Sequence, residues 1–489
     1  MVHISNYEFW FITGSQHLYG PETLEQVARD AEIIAKGLND SALTPCKVVW
    51  KPVVKTAKEI RDVIKAANHD ENCAGIITWM HTFSPSKMWI EGLTALQKPY
   101  LHVNTQFNRD IPWSTIDMDF MNLNQSAHGD REHGFIGARL RLPRKVIAGY
   151  WEDEGFKQRV GDWMRSAVGY VESHKLRVLR ISDNMRNVAV TEGDKVEAHI
   201  RFGWSVDHYG VGDMIKLVEA VTEEQIDRQM DLYWEHYTID TDDIEAVRYQ
   251  GRMQCAIQSF MEREGFGALT TNFEDLQQLE QLPGLAIQDL MRQGYGFGGE
   301  GDWKTAAMTR IMKMMCQGLP GDSAFMEDYT YHMEPGNEMI LGAHMLEVCP
   351  TLASEKPRIQ VHPLGIGGRK PPARLVFKAR QGDAIVCSVV DMGNRFRMIV
   401  NDVQCVEQKF DMPLLPVAGV LWKPLPDFVT SAEAWIIAGG AHHSTISLGL
   451  SAGHMRDFAE MFGVEFIHIN EETDIVSLKK ELRWNEMVY

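Results

Sequence analysis

Two acids and two histidines that follow glycine-rich stretches have side chains suited to metal or proton chemistry. Glu300 follows the run GYGFGG, and Glu327 follows an apolar pair in FMEDYTYH. His344 comes two residues after Gly342, and His443 ends the sequence AGGAHH. Carboxylates together with neutral imidazoles suit a first-row divalent ion with open positions, and the same groups can carry protons. These residues by themselves leave metal-assisted hydrolysis, isomerisation and oxidation open.

Each of these residues also has an ordinary structural interpretation. The chain has 67 acids, so Glu300 and Glu327 could be surface residues, and His344 could be a hydrogen-bonded core histidine. We interpret the apolar run 434–438, AWIIA, as a buried strand, which would place His443 just past its end. Histidines that follow a Gly-Gly pair at such a point favour a functional role over a structural one.

Three further histidines are weaker candidates. His17 and His128 are expected in loops, where they could line a pocket. His102 lies inside a predicted strand and is expected to be structural.

The glycine run at 294–299 matches the dinucleotide-binding pattern G-x-G-x-x-G. That pattern binds a nucleotide only when a strand precedes it, and the preceding LPGLAIQDLMRQ has helical spacing. We therefore expect these glycines to let the backbone pass close to a buried site. The chain has no phosphate-binding G-x-x-x-x-G-K-[ST], no G-x-S-x-G and no H-E-x-x-H.

Composition narrows the class of protein. The chain has 489 residues, which predicts about two to four domains. Its net charge of −18 argues against nucleic acid or a membrane surface as partner. No apolar run reaches the ~18 residues of a membrane span, and the N-terminus lacks a basic region and a cleavage site. We expect a cytoplasmic protein.

The seven cysteines are an odd number and form no C-x-x-C pair. We interpret them as reduced core residues, with a catalytic thiol as the alternative.

The spacing of apolar residues predicts the strands and helices that would position these side chains. Residues 8–107 alternate between short apolar strands and helices of ten to twenty residues, which predicts a parallel sheet. Ligands bind beyond the carboxyl ends of such strands, where the polar stretches 14–20, 79–85 and 104–108 are expected.

Three domains are predicted. We place an N-terminal α/β domain at 1–175 and a central α/β domain at 176–325, both with parallel sheets of the Rossmann or flavodoxin type. The short β-rich runs after them predict a mainly antiparallel β domain at 326–489, a small barrel or sandwich.

Longer motifs carry more information than single residues. They are NYEFWFITGSQHLYGPETL (6–24), HTFSPSKMWI (81–90), DMDFMNLNQSAHG (117–129), DNMRNVAVTEGDK (183–195), TTNFEDL (270–276), GYGFGGEGDWKTAA (294–307), FMEDYTYH (325–332), GAHMLEVCP (342–350), LGIGG (364–368), AGGAHH (438–443) and LRWNEMVY (482–489). With these motifs the chain resembles the bacterial L-arabinose isomerase family, which is structurally akin to L-fucose isomerase, over nearly its whole length.

The resemblance implies a site. It makes Glu300 and Glu327 the catalytic acids and, together with His344 and His443, the ligands of one Mn²⁺ per subunit, with Co²⁺ as a substitute. The sugar-binding residues that it implies are Gln16, Leu18, Met185, Phe273 and Ile366, with His128 supplied by a neighbouring subunit.

The resemblance also implies a reaction and an assembly. The reaction is conversion of L-arabinose to L-ribulose through an ene-diolate, the first step of L-arabinose catabolism, with D-galactose to D-tagatose as a side activity. The assembly is a hexamer built from two trimers, with a tetramer as the alternative. An isomerase of another sugar, such as L-fucose, and a non-catalytic sugar-binding protein remain the rival interpretations.

Overall fold

The alternation of apolar strands and helices predicted near the N-terminus is present in the computed structural model, which describes residues 2–276, 278–366 and 368–489. The chain forms two units. The first comprises Met1–Val171 and Arg456–Gly463, and the second comprises Glu172–Met455 and Val464–Tyr489. In the part of the chain that the structure describes, no helix is long and apolar enough to cross a membrane.

The first unit is built on a five-stranded parallel sheet with the strand order β2-β1-β3-β4-β5. Its elements are β1 (Glu8–Gly14), α1 (Gly20–Asn39), β2 (Lys47–Trp50), α2 (Ala57–His69), β3 (Cys73–Met80), α3 (Ile90–Thr94), β4 (Tyr100–Asn104), α4 (Met118–Leu123), α5 (Ser126–Arg139), β5 (Lys145–Ala148) and α6 (Glu154–Ser173).

Local sequence accounts for these elements. The central strand β3 is a continuous apolar run and is buried at every position, as expected for a parallel strand that is covered on both faces. Helix α2 begins at the Thr56 cap, whose hydroxyl accepts from the Glu59 N–H, and it buries Ile60, Ile64 and Ala67 along one stripe.

The second unit begins with a four-stranded parallel sheet of order β10-β9-β6-β7. Its first elements are β6 (Arg177–Ile181), α7 (Lys195–Phe202), β7 (Ser205–Tyr209), α8 (Val211–Glu219), α9 (Glu223–His236), β8 (Thr238–Ile239), α10 (Ile244–Glu264), β9 (Ala268–Thr270), α11 (Leu285–Arg292), β10 (Gly296–Gly298) and α12 (Trp303–Cys316).

The remaining elements are mainly antiparallel strands with three helices. They belong to the second unit except for residues 456–463, which form most of the second of these helices and belong to the first unit. They are β11 (Ser323–His332), β12 (Met339–Ala343), β13 (Arg358–Val361), β14 (Ala373–Val376), β15 (Gly382–Asp391), β16 (Phe396–Val406), β17 (Gly419–Pro424), α13 (Phe428–Ala438), β18 (His443–Ser447), α14 (Ala452–Phe462), β19 (Glu465–Ile469) and α15 (Ile475–Val488).

Six of these strands close into a barrel. The order is β15-β18-β11-β12-β17-β16, and antiparallel pairing of β15 with β16 completes the circle. Strand β19 adds to β16 in parallel, and β14, β13 and β8 form a separate small sheet. The predicted fold class is therefore confirmed: two parallel-sheet α/β regions are followed by a mainly antiparallel β region. The domain boundaries given above stay predictions.

Helix α12 connects the parallel sheet of the second unit to its barrel. All of its residues are buried, and it packs on β9 and β10 on one side and on β11, β15 and β18 on the other. Its charged side chains are paired: the Lys313 ammonium donates to Asp322 Oδ2 at 2.6 Å and to the Ser323 carbonyl at 2.9 Å. A helix that is buried on all sides is held firmly, so it fixes the position of the residues that precede its first turn.

The strand predicted for AWIIA is wrong. Residues 434–438 are the end of α13, which is capped by the Asp427 carboxylate and terminated by Gly439 at φ 81°. The helix buries Ser431, Ala434 and Ala438 at intervals of three and four residues. A short apolar run cannot be assigned to strand or helix by hydrophobicity alone. The strand that carries His443 begins at that residue.

The cysteines agree with their interpretation as reduced core residues. All seven are free thiols, and six of them are buried. Burial raises the pKa of the Cys316 thiol to about 11 and of the Cys46 thiol to about 12. Since the thiolate is the reactive form, these environments do not favour a nucleophile.

We expect Gly342→Ala to destabilise the barrel. A Cβ at this position would lie 2.0 Å from the Trp422 ring and 2.7 Å from Met326 Sδ, so the strands must separate. The loss should be about 1–3 kcal/mol of unfolding free energy, measured by chemical denaturation. Gly212→Ala in α8 is the control, because a Cβ there meets nothing within 4 Å. Equal stability of the two variants would contradict this account.

Candidate metal centre

Glu300 stands in a strained turn between β10 and α12. Its backbone has φ 59°, a left-handed conformation that costs a non-glycine residue about 1–2 kcal/mol. The turn is held by two hydrogen bonds: the Glu300 carbonyl accepts from Met185 N at 2.9 Å, and Gly301 N donates to the Thr271 carbonyl at 3.0 Å. The surrounding structure therefore enforces the direction of the Glu300 side chain.

The glycines on either side of Glu300 are required by close contacts. A Cβ on Gly299 would lie 3.0 Å from His344 Nε2, inside the cluster itself. A Cβ on Gly301 would lie 2.5 Å from Asn184 Cα, and Gly301 has φ 82°. The expectation that these glycines allow close backbone approach is confirmed, and their match to a nucleotide motif is incidental.

Barrel register supplies the other three residues. Glu327 on β11 pairs directly with His443 on β18 and with Ala343 on β12, and His344 follows Ala343. Directly opposed residues of antiparallel strands have neighbouring side chains. The pairing of β11 with β12 shifts after Asp328, a bulge one residue beyond Glu327. Such bulges redirect side chains next to active sites.

The four predicted ligands lie together. His443 Nε2 is 3.8 Å from Glu300 Oε2, and His344 Nε2 is 4.0 Å from Glu327 Oε2. One ligand atom from each of Glu300, His344 and His443 can be chosen so that all lie within 4.8 Å of one another.

A carboxylate fixes the ring of each histidine. His344 Nδ1 bonds to Glu347 Oε2 at 2.5 Å, and His443 Nδ1 lies 3.3 Å from Asp302 Oδ2. Each ring therefore directs Nε2 to the cluster, the arrangement that orients metal-binding imidazoles. Asp302 is itself paired with the buried Lys304 ammonium at 3.2 Å.

Burial and neighbouring charge set the protonation of the carboxylates. Burial raises the pKa of Glu300, but His442, His443 and His344 outweigh it and hold that pKa below its usual value. Burial likewise opposes ionisation of Asp302, yet Lys304 and His443 hold its pKa far below the ordinary range. Both groups are therefore charged at neutral pH.

The two histidines differ. Burial lowers the pKa of His443, which keeps that ring neutral and able to bind a metal. Burial acts in the same direction on His344, but Glu347 outweighs it and raises the pKa of His344. Below that raised pKa, a metal ion can bind His344 only by displacing a proton, so metal affinity is expected to rise with pH.

The residues present fit a metal ion. His443 Nε2 is completely buried, and no hydrogen-bond partner reaches it among the described residues. A buried imidazole nitrogen without a partner is costly unless something else occupies its lone pair. A metal ion would be such an occupant, and two carboxylates and two oriented imidazoles offer it a mixed set of oxygen and nitrogen ligands.

Three residues of the cluster, His442, Asp302 and Glu347, are not among the four predicted ligands. Glu327, His442 and His443 form a second group whose ligand atoms lie within 4.8 Å, and His442 Nε2 is 3.5 Å from Glu300 Oε2. Asp302 and Glu347 orient the two ligand rings. The pair His442–His443 was visible in the sequence, but the partners of the ring nitrogens depend on the fold.

An aromatic side chain forms one wall of the cluster. The Phe325 ring packs edge-on against His344 at 5.0 Å and against His443 at 5.2 Å between ring centroids. It is fully buried and contacts Phe297 on its other side. This apolar wall keeps water from one side of the imidazoles and strengthens electrostatic interactions there.

Family models match three consecutive parts of the chain. The L-arabinose isomerase N-terminal domain matches residues 3–175, the central domain matches 177–318, and the C-terminal domain matches 322–465. The chain belongs to the L-arabinose isomerase family.

Individual members of the family match over full length. A protein named L-arabinose isomerase from Geobacillus thermodenitrificans is 56% identical, covering 100% of this chain and 99% of that protein. Proteins of the same name from Clostridium beijerinckii and Thermotoga neapolitana are 56% and 54% identical, each over 100% of this chain and over 100% and 99% of their own lengths.

Two of the predicted sugar-binding residues lie near the Glu300 turn. Met185 donates its N–H to the Glu300 carbonyl. Phe273 is half-buried and lies two residues after Thr271, which accepts from Gly301. Ile366 is exposed on the segment between β13 and β14, and its neighbour Gly367, part of the LGIGG motif, lies outside the described residues.

The other predicted sugar-binding residues belong to the first unit. Gln16 follows the end of β1, and Leu18 lies in a short 3-10 helix with 82% of its surface exposed. His128 is in the first turn of α5, and His17 begins the 3-10 helix, so the loops expected for these histidines are wrong. His102 is buried in β4, which agrees with a structural role.

We expect Glu347→Gln to weaken metal binding about 10- to 100-fold, because the charge that orients and polarises the His344 ring is lost. Titration calorimetry of the metal-free protein with Mn²⁺ measures the affinity. Glu355→Gln is the matched control, since Glu355 is exposed. Equal Mn²⁺ affinity in the two variants would show that Glu347 does not support the ligand.

Proposed function

We propose that this chain is a metal-dependent aldose–ketose isomerase that converts L-arabinose to L-ribulose. The observation that carries the proposal is that two carboxylates and the oriented imidazoles of His344 and His443 place ligand atoms in two overlapping groups that share His443, in a chain of the L-arabinose isomerase family.

Glu300, Glu327, His344 and His443 would hold one divalent ion, with Mn²⁺ as the preferred metal and Co²⁺ as a substitute. Mixed carboxylate and imidazole ligands are compatible with both ions. When bound, the ion supplies Lewis-acid polarisation of the two adjacent oxygens of the open-chain sugar. Because Asp302 and Glu347 fix both histidine rings, the donor atoms are in place before the sugar arrives.

The reaction moves hydrogen without changing the formula of the sugar. A proton leaves C2 and one is returned to C1, while the hydroxyl proton passes from O2 to O1 through an ene-diol. Either Glu300 or Glu327 would accept the carbon-bound proton as general base, and the other would serve the oxygens. Glu300 is held in its ionised form by the surrounding imidazoles, as a base requires.

The remaining parts of the proposal concern the pocket and the assembly. Met185, Phe273 and Ile366 would contact the sugar, together with Gln16 and Leu18. His128 would come from a neighbouring subunit, so activity requires a homo-oligomer, a hexamer of two trimers or else a tetramer. Three domains with the predicted boundaries, a cytoplasmic location and a side activity on D-galactose complete the proposal.

Glu300→Gln and Glu327→Gln should each lower kcat by about 10²–10⁴-fold, because an amide can neither accept the proton from carbon nor exchange a proton with the sugar oxygens. Ketose formation from L-arabinose measures the rate, and circular dichroism checks that the fold persists. Glu334→Gln, an exposed acid of the β11–β12 connection, is the control. Full activity in either site variant would remove that residue from the mechanism.

Removal of metal should abolish turnover, and added Mn²⁺ should restore it. The assay follows ketose formation from L-arabinose before and after exhaustive chelation, with L-fucose and D-galactose as comparison substrates. Activity that survives complete metal removal would exclude the proposed role of the ion. Faster turnover of L-fucose would favour an isomerase of that sugar, and no ketose from any of the sugars would favour a binding protein.

A further inference from the structure

A buried carboxylate joins α5 to two neighbouring strands of the first unit. Asp130 is 4% exposed and accepts three hydrogen bonds. They come from the Met80 N–H at the end of β3 at 3.1 Å, from His102 Nε2 on β4 at 2.9 Å, and from Asn104 Nδ2 at 2.8 Å. The donors lie at or near the carboxyl ends of these strands, the edge at which parallel sheets bind ligands.

His128 lies in the first turn of the same helix, two residues before Asp130. Its ring centroid is 4.7 Å from that of Phe83, and the Phe83 carbonyl accepts from Gln16 Nε2 at 3.2 Å. The helix is tied to the same loop once more, because Gln125 N donates to the His81 carbonyl at 2.7 Å. Gln16 and His128, both assigned to sugar binding above, are therefore linked through one loop.

A charged group in this position is not the most stabilising choice. Moving a carboxylate out of water is costly, and well-packed apolar side chains at a buried ionic site are often equally or more stabilising. Burial raises the pKa of Asp130, and its three hydrogen bonds oppose that effect. Hydrogen bonds are directional, however, so three of them fix the helix more closely than apolar packing does.

We propose that Asp130 is a positioning residue for substrate binding. Its three hydrogen bonds hold the first turn of α5 on the ends of β3 and β4, and thereby set where His128 meets the sugar in the neighbouring subunit. The inference rests on the proposed role of His128. Asp130 itself touches neither the sugar nor the metal.

The first test is Asp130→Ala, which removes the acceptor of all three hydrogen bonds and so releases the first turn of α5 from the ends of β3 and β4. We expect KM for L-arabinose to rise about tenfold, with kcat changed less than about threefold, because displacing a binding group by ~1 Å weakens binding. Affinity for Mn²⁺, measured by calorimetry, should be unchanged.

Rescue separates positioning from general damage. In Asp130→Asn, the amide oxygen still accepts from Met80 N and His102 Nε2, and the NH₂ group donates to Asn104 Oδ1 once the Asn104 amide turns over. KM should return to within about threefold of the parent value. Glu132→Gln, an acid-to-amide change on the same helix, is the control and should leave KM unaltered. If Asp130→Ala does not fold, Asn104→Ala removes one of the three bonds and should raise KM by a smaller factor.

His128→Ala, assayed in parallel, separates the positioning role of Asp130 from the sugar-binding role of His128. If it raises KM while folded Asp130→Ala does not, the positioning role is wrong and the role of His128 stands. If His128→Ala leaves KM unchanged, the role of His128 fails and the inference fails with it. A KM that is raised equally in Asp130→Ala and in Asp130→Asn would also overturn the inference.

Discussion

The structure depends on holding several acids close together around two buried histidines. Two buried imidazoles, those of His344 and His443, are surrounded by Glu300, Asp302, Glu327 and Glu347. The buried Lys304 ammonium pairs with Asp302. Burial and mutual repulsion both raise the pKa of a neighbouring acid: Asp328, next to Glu327, has a pKa of about 7 for these two reasons. A divalent cation would relieve this excess of negative charge, so binding of metal and stability of the site are coupled.

Two rigid features of the fold hold the members of the cluster. The buried helix α12 and the strained turn before it fix Glu300 and Asp302, whereas the barrel register sets Glu327 opposite His443. These elements lie in one unit, and they are held by backbone hydrogen bonds and by close side-chain packing. A catalytic site needs such rigidity because small displacements of the reacting groups cost large factors in rate.

A common device recurs in both units. At the metal cluster, Asp302 and Glu347 each hold an imidazole in a chosen orientation; in the first unit, Asp130 holds His102 and the end of a helix. In all three cases the hydrogen bonds of a buried carboxylate fix the orientation of the groups that it contacts. The net stabilisation from a buried charge is small, so its advantage is the single arrangement that its partners enforce.

The sequence by itself determined the fold class and the parallel sheets, because strand and helix periods are local properties of the chain, and its long motifs, through the family resemblance, led to the four proposed ligands. It did not determine that AWIIA is helical, since a run of five apolar residues satisfies either period. It could not show that Asp302 and Glu347 orient the histidines or that His442 joins the cluster. Those relations depend on strand register and on the turn at Glu300, where residues more than a hundred positions apart come within hydrogen-bonding distance, and only tertiary structure decides them.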